Sequence, residues 1–287
     1  MKAFSNFHPV VIFIYFIAVF SVSMFIQNPV YLITSLTGAF LFLCVLNTIK
    51  ISIISILKYI PFTILITLLN PLFSHSGATP LFFINDNAFT LEALIYGAVL
   101  ALMILCVIFW FKSFNIIFNS EKILFLFGKI SPKISLIFSM ALHFIPNFSR
   151  YFNEVLSVQK KLQPKSKLKI YISCFSAVIT HSLETSVDTS DSMSARGHST
   201  GRVTNFGRFR FKTNDFILLI SVIILTLLTY IAIVMGTTKI VYYPVIIFSN
   251  SDISSLISYV AFTILCFLPG IYEIKEDLKW KHLISRI

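Results

Sequence analysis

The polar residues best placed for chemistry lie along one short stretch. His181, Glu184, Asp188 and Asp191 follow an i, i+3/i+4 pattern that continues to Ala195, so one helix face carries an imidazole and three carboxylates. Such donors suit a divalent cation, but a metal needs three or four converging ligands, and these stand in a row. A polar face docked on neighbouring helices accounts for them better. The other histidines are scattered at 8, 75, 143, 198 and 282. There is no H-E-x-x-H, no G-x-S-x-G and no G-x-x-x-x-G-K-[ST], so zinc hydrolysis, a nucleophile elbow and a P-loop have no motif to rest on. The cysteines Cys44, Cys106, Cys174 and Cys266 sit singly within apolar stretches and read as small buried hydrophobes. Two ionisable groups in apolar surroundings, Lys58 and His143, would serve a stand-alone membrane carrier or an intramembrane enzyme whose site lies between spans.

The chain around these residues is built for lipid. It is 56% hydrophobic, contains 31 Phe among 287 residues, and only 12% of its residues are charged; its mean hydropathy is +0.86. A soluble domain carries about twice that share of charge. Six runs have the length and apolarity of a membrane span, at 9–27, 29–47, 51–69, 91–111, 216–234 and 253–271. Pro9 and Pro29 open their helices at the first turn, and Pro61 predicts a kink in the third. The expected class is therefore all-α, a polytopic membrane protein of about six transmembrane helices.

Charge gives the expected topology. Residues 112–212 hold 15 of the 23 Lys and Arg but 5 of the 12 acids. The connections at 27–28 and 70–90 have no Lys or Arg, and 235–252 has only Lys239. By the positive-inside rule, both termini and the 112–212 segment face the cytoplasm, in a multi-pass protein of the cell membrane. Three regions follow: spans one to four in 1–111, a cytoplasmic or interfacial helical segment in 112–212, and spans five and six with a tail in 213–287.

Within the middle region, 114–130 reads as an interfacial amphipathic helix and 132–145 as an apolar helix too short to cross. Pro146 is expected to break the pattern, with Asn147 capping a new helix to about Leu162. A last helix spans 166–196, about 46 Å long, with Gly197 as its left-handed stop. The stretch NFGRFRFK, 205–212, reads as a membrane-interface anchor in preference to a nucleic-acid stripe. Between 80 and 84, LFFI reads as a re-entrant piece or a small hairpin.

Arg196 stands between two small residues at the end of the polar helix. A cation there complements the helix macrodipole. Small neighbours also let a partner approach the backbone while the guanidinium forks onto a carboxylate.

The passage ETSVDTSDSMSARGHSTGR, with HPV at 8–10 and LHFIPNFSRYFNEVLSVQ at 142–159, resembles the transmembrane coupling (T) component of energy-coupling factor (ECF) transporters, the EcfT family. The resemblance covers most of the chain, and only Ala195-Arg196-Gly197 is specific. It implies a non-catalytic subunit of an ATP-driven importer of a vitamin or metal ion, with no cofactor of its own. It implies two long coupling helices crossing in an X, each ending in an Ala-Arg-Gly-like motif docked on one of two ABC-type ATPase subunits. It implies, too, a small substrate-binding membrane subunit in the surrounding bilayer, and no nucleic acid. Ala195, Arg196 and Gly197 take the place of the second docking motif. The first falls on Gln159, Lys160, Lys161 and Leu162, where Leu162 replaces the usual arginine and Gln163 the usual glycine. His143 also replaces an arginine.

Overall fold

The computed structural model describes residues 3–47, 49–74, 77–84, 87–162, 167–198, 209–248 and 253–284. It is all-α apart from two short hairpins. Among the described residues five helices are long and apolar enough to cross a membrane, the architecture of a polytopic membrane protein. The chain divides into two compact units, residues 1–119 with 209–287, and residues 120–208.

The first unit contains a 3-10 turn at Phe4–Asn6, then helices α1 (Pro9–Phe25), α2 (Pro29–Leu46) and α3 (Ile49–Phe73). A hairpin of β1 (Pro80–Ile84) and β2 (Asn87–Thr90) leads into α4 (Leu91–Ile117). The apolar LFFI is thus a hairpin strand. After the second unit come α8 (Thr213–Val234), a two-residue pairing of β3 (Ile240–Val241) with β4 (Ile247–Phe248), and α9 (Ile253–Ile284).

The five long apolar helices are α2, α3, α4, α8 and α9. Helix α1 matches the first expected run, but at 17 residues it rises only about 25 Å, below the roughly 30 Å hydrocarbon core. Much of the apolar surface points outward: Ile53, Leu57, Ile64 and Leu68 along α3, and Ile217, Ile224 and Ile231 along α8, are exposed. A water-soluble bundle would hide such rows, whereas a lipid-facing one has no reason to.

The interior is aromatic and tightly joined. Helix α4 packs on α3, α2 and α1, α2 on α9, and α9 on α8. Trp110, Tyr15, Phe16 and Phe42 are fully buried and meet largely edge to face. The Trp110 indole N–H donates to Ser35 Oγ at 2.9 Å, and Ser35 bonds Ser23 at 2.7 Å. At Gly97 a Cβ would lie 2.7 Å from the Thr67 carbonyl oxygen, so only glycine lets α3 and α4 approach this closely.

Prolines do not end helices here. Pro61 and Pro71 lie inside α3 and Pro269 inside α9, which continues through Pro269-Gly270 for 32 residues. Pro269 cannot donate to the Leu265 carbonyl four residues back; the buried Tyr15 hydroxyl donates to it instead, at 3.2 Å.

The polar connections gather at the two ends of this unit. At one, the Asn28 amide reaches the Thr238 carbonyl, Tyr242 donates to the Gln27 carbonyl, and the Asn70 amide reaches the Ala93 carbonyl. At the other, Glu273 accepts from the N–H groups of Ala3 and Phe4, and Asp215 from that of His8.

The second unit holds α5 (Ser120–Ile130), α6 (Pro132–Leu162) and α7 (Lys167–Ala195). Two boundaries differ from the expectation. The amphipathic helix starts at Ser120 because α4 continues to Ile117, carried by its unbroken apolar run; Asn119 and Ser120, good caps and poor interior residues, make the break. Helix α6 passes through Pro146 for 31 residues, so Asn147 lies mid-helix and caps nothing. Losing one backbone hydrogen bond leaves the rest of a long helix intact, and Phe144 stacks on Phe148 across the proline at 5.5 Å.

Candidate functional site

Helices α6 and α7 form an antiparallel pair. Near their connection the Gln159 amide donates to Ser173 Oγ at 3.0 Å. Farther along, the Tyr151 and His181 rings stack at 4.2 Å. Beyond that, Leu136, Met140 and Phe144 of α6 face Ser190, Met193 and Ser194 of α7 across a cavity of about 320 Å³. Because the helices run in opposite directions, their C-terminal ends lie at opposite ends of the pair. Helix α7 alone is about 43 Å long, so those ends are far apart.

The Ser- and Thr-rich part of α7 bonds its hydroxyls internally. Thr180, Ser182, Thr185, Ser186 and Thr189 each donate to the carbonyl four residues back, at 2.6 to 3.1 Å. The hydroxyls are thereby satisfied within the helix, while the helix propensity of this part stays modest.

The end of α7 is a fully formed Schellman turn. Gly197 adopts φ 80°, its N–H donates to the Ser194 carbonyl, and the His198 N–H donates to that of Met193. Gly197 is therefore the expected left-handed stop. Ala195, Arg196 and Gly197 are all exposed, and the Arg196 side chain makes no hydrogen bond or ion pair among the described residues.

The polar face divides. His181 is half-buried on Tyr151, while Glu184, Asp188 and Asp191 are exposed and have no described partner. The expected docking of this face on neighbouring helices holds for the histidine alone. Among the described residues no three His, Cys, Asp or Glu side chains gather as metal ligands.

At the other tip, Lys160 and Lys161 are exposed in the last turn of α6, where cations complement the dipole. Gln159 is held by Ser173 and pins α6 to α7. Leu162 ends the helix; its side chain, Gln163 and 205–208 of the anchor stretch lie outside the described residues. Lys58 is exposed on α3, and His143 is exposed on α6 beside Phe144.

Several working polar groups escape a motif search. His8 is buried and caps α1, its Nδ1 accepting from the Val10 N–H. Asp215 is buried and accepts from the N–H groups of His8 and Lys212. Lys112 donates to Ser55 Oγ at 2.6 Å and lies over the Tyr59 ring at 5.6 Å. One signal was available for Asp215: a lone acid at the start of an apolar run favours a helix N-terminus. No family model matches this chain, and comparison with curated proteins finds no match.

Proposed function

We propose that this chain is the non-catalytic membrane coupling subunit of an ATP-driven importer of the energy-coupling-factor type, serving a vitamin or metal ion. The observation that carries the reading is Arg196. An arginine between two small residues sits exposed on a Schellman turn, at the far end of a long helix that is itself half of an antiparallel pair. The resemblance of ETSVDTSDSMSARGHSTGR to the EcfT family supplies the partner class.

On this reading six helices, α1 included, span the cell membrane with both termini in the cytoplasm. Two ABC-type ATPases bind ATP and close. One draws on Arg196 at the end of α7, the other on Lys160 and Lys161 at the end of α6. The helix pair moves as a lever and reorients a small substrate-binding membrane subunit. No bond is made or broken on this chain, which needs no cofactor for its task. Its requirement is mechanical: the tips must stay attached while the helices stay helical.

The test is a mild detergent purification of the tagged chain from its host's membranes. Two ATPases with Walker motifs and a small hydrophobic protein are expected to accompany it. The chain arriving alone, with transport or enzymatic activity of its own, would overturn the proposal.

A further inference from the structure

The first unit carries a basic cavity where its apolar helices meet polar sequence. About 390 Å³ in volume, it is lined by Asn6, Lys212, Asn214, Tyr272, Lys275 and Lys279, with the carboxylates of Asp215 and Glu276. Lys212 immediately precedes α8, and Lys275 and Lys279 lie just past the apolar part of α9. By hydropathy this is the level at which lipid headgroups sit.

The two carboxylates do not cancel the three lysines. Three ammonium groups face two carboxylates, and the oxygens of Asp215, which is 3% exposed, are turned to the backbone N–H groups of His8 at 2.9 Å and of Lys212 at 2.8 Å. Glu276 faces Lys279 at 4.0 Å. The Lys212 and Lys275 ammonium groups form no ion pair among the described residues. The lining therefore has one net positive charge and offers ammonium and side-chain amide donors, complementary to an anion with several acceptor oxygens.

A second feature adjoins it. Lys275 and Lys279 also border a shallow groove of about 620 Å³ whose floor is Ile271, Ile274 and Leu278. These three are exposed, at 59%, 49% and 60%, and follow i, i+3, i+7 along one stripe of α9. An anion pocket and an apolar groove thus share two lysines. A soluble phosphate compound would use the first and leave the second empty. A molecule with a phosphate at one end and a hydrocarbon chain at the other would fill both.

We propose that this paired site binds one anionic phospholipid, its phosphate among Lys212, Lys275 and Lys279 and an acyl chain along Ile271, Ile274 and Leu278. The lipid would bridge the start of α8, the chain's N-terminal residues and the outer part of α9. The inference is independent of any ATPase partner.

The experiment uses the full chain in detergent, titrated separately with phosphatidylglycerol, phosphatidylcholine and glycerol 1-phosphate. Bound lipid is counted by native mass spectrometry, and thermal melting is followed in parallel. Phosphatidylglycerol is expected to be retained and to raise the melting temperature; phosphatidylcholine and glycerol 1-phosphate are expected to do neither at equal concentration. Replacing a lysine should weaken phosphatidylglycerol binding about fivefold, and K212Q/K275Q/K279Q together roughly a hundredfold, while K239Q leaves it unchanged. Equal binding of the two phospholipids, or wild-type affinity in the triple variant, would overturn the site. Glycerol 1-phosphate binding as tightly as phosphatidylglycerol would overturn the lipid and leave a soluble phosphate ligand.

Discussion

Tyr15 shows how much one hydroxyl can hold. It satisfies the Leu265 carbonyl that Pro269 leaves open, in the middle of the aromatic interior. Tyr15→Phe keeps the ring and strands that carbonyl, so it is expected to destabilise the first unit by about 1–3 kcal/mol, measured as a lower melting temperature in detergent. Tyr242 gives a pH dependence. Burial, and secondarily Tyr96 beside it, pushes its phenol from the ordinary 10 up to about 12. The unfolded phenol loses its proton first, so stability is full below pH 10 and declines as pH climbs through about 12. Tyr242→Phe should flatten that part of the decline. At Arg196 the expectation rests on the proposed function: Arg196→Glu abolishes ATP-driven uptake with normal expression and melting. Losing one partner of a docked, hydrogen-bonded ion pair costs about 2–5 kcal/mol or more. Wild-type uptake by that variant would sink the lever reading.

Among the elements, α7 combines two properties that pull against each other. It is rich in Ser and Thr, yet it must carry its tip some 43 Å from its start. Its hydroxyls bond back within the helix, and the Schellman turn ends it at one defined residue. Gly197→Ala forces a Cβ into a left-handed conformation at φ 80°. That change is expected to fray the last turn at a cost of about 1–2 kcal/mol. Circular dichroism should change little, because the loss is confined to one turn, while on the proposed function ATP-driven uptake should fall. Gly97 sets the opposite kind of constraint, a close approach of two helices. Gly97→Ala should cost about 1–3 kcal/mol through overpacking against Thr67 and Asn70, read as reduced thermal stability.

For the whole molecule, the arrangement of polar connections within the first unit bears on how it lies in a membrane. Gln27, Asn28, Asn70, Ala93, Thr238 and Tyr242 lie at one end; Phe4, His8, Asp215 and Glu273 lie at the other. If the helices cross a bilayer as proposed, Lys239 and Lys279 lie on opposite sides. Lys239→Cys should then react with a membrane-impermeant maleimide in intact cells, and Lys279→Cys only after permeabilisation. Labelling of both from outside would reject the six-span topology. Cys106, Cys174 and Cys266 are buried and Cys44 is half-buried, so the background should be low.

Long-range apolarity was legible from the residues alone. Some twenty mostly apolar residues in a row have few stable fates, and the runs at 29–47, 91–111 and 216–234 each became a long helix, the first and last within three residues of expectation and the second running on to Ile117. Gly197 was legible for a similar reason, since a left-handed stop is a property of one residue and its immediate neighbours. The continuity of α6 and α9 through Pro146 and Pro269 was not. Proline's cost is local, but what offsets it is supplied by distant atoms, as when Tyr15 reaches Leu265 from 250 residues away. The same holds for the ties from Asp215 to His8 and from Glu273 to Ala3 and Phe4, which exist only once the chain's first residues meet α8 and α9. A sequence determines what each residue must avoid or satisfy; only tertiary structure decides which other residue satisfies it, because hydrogen bonds and packing act across space, not along the chain.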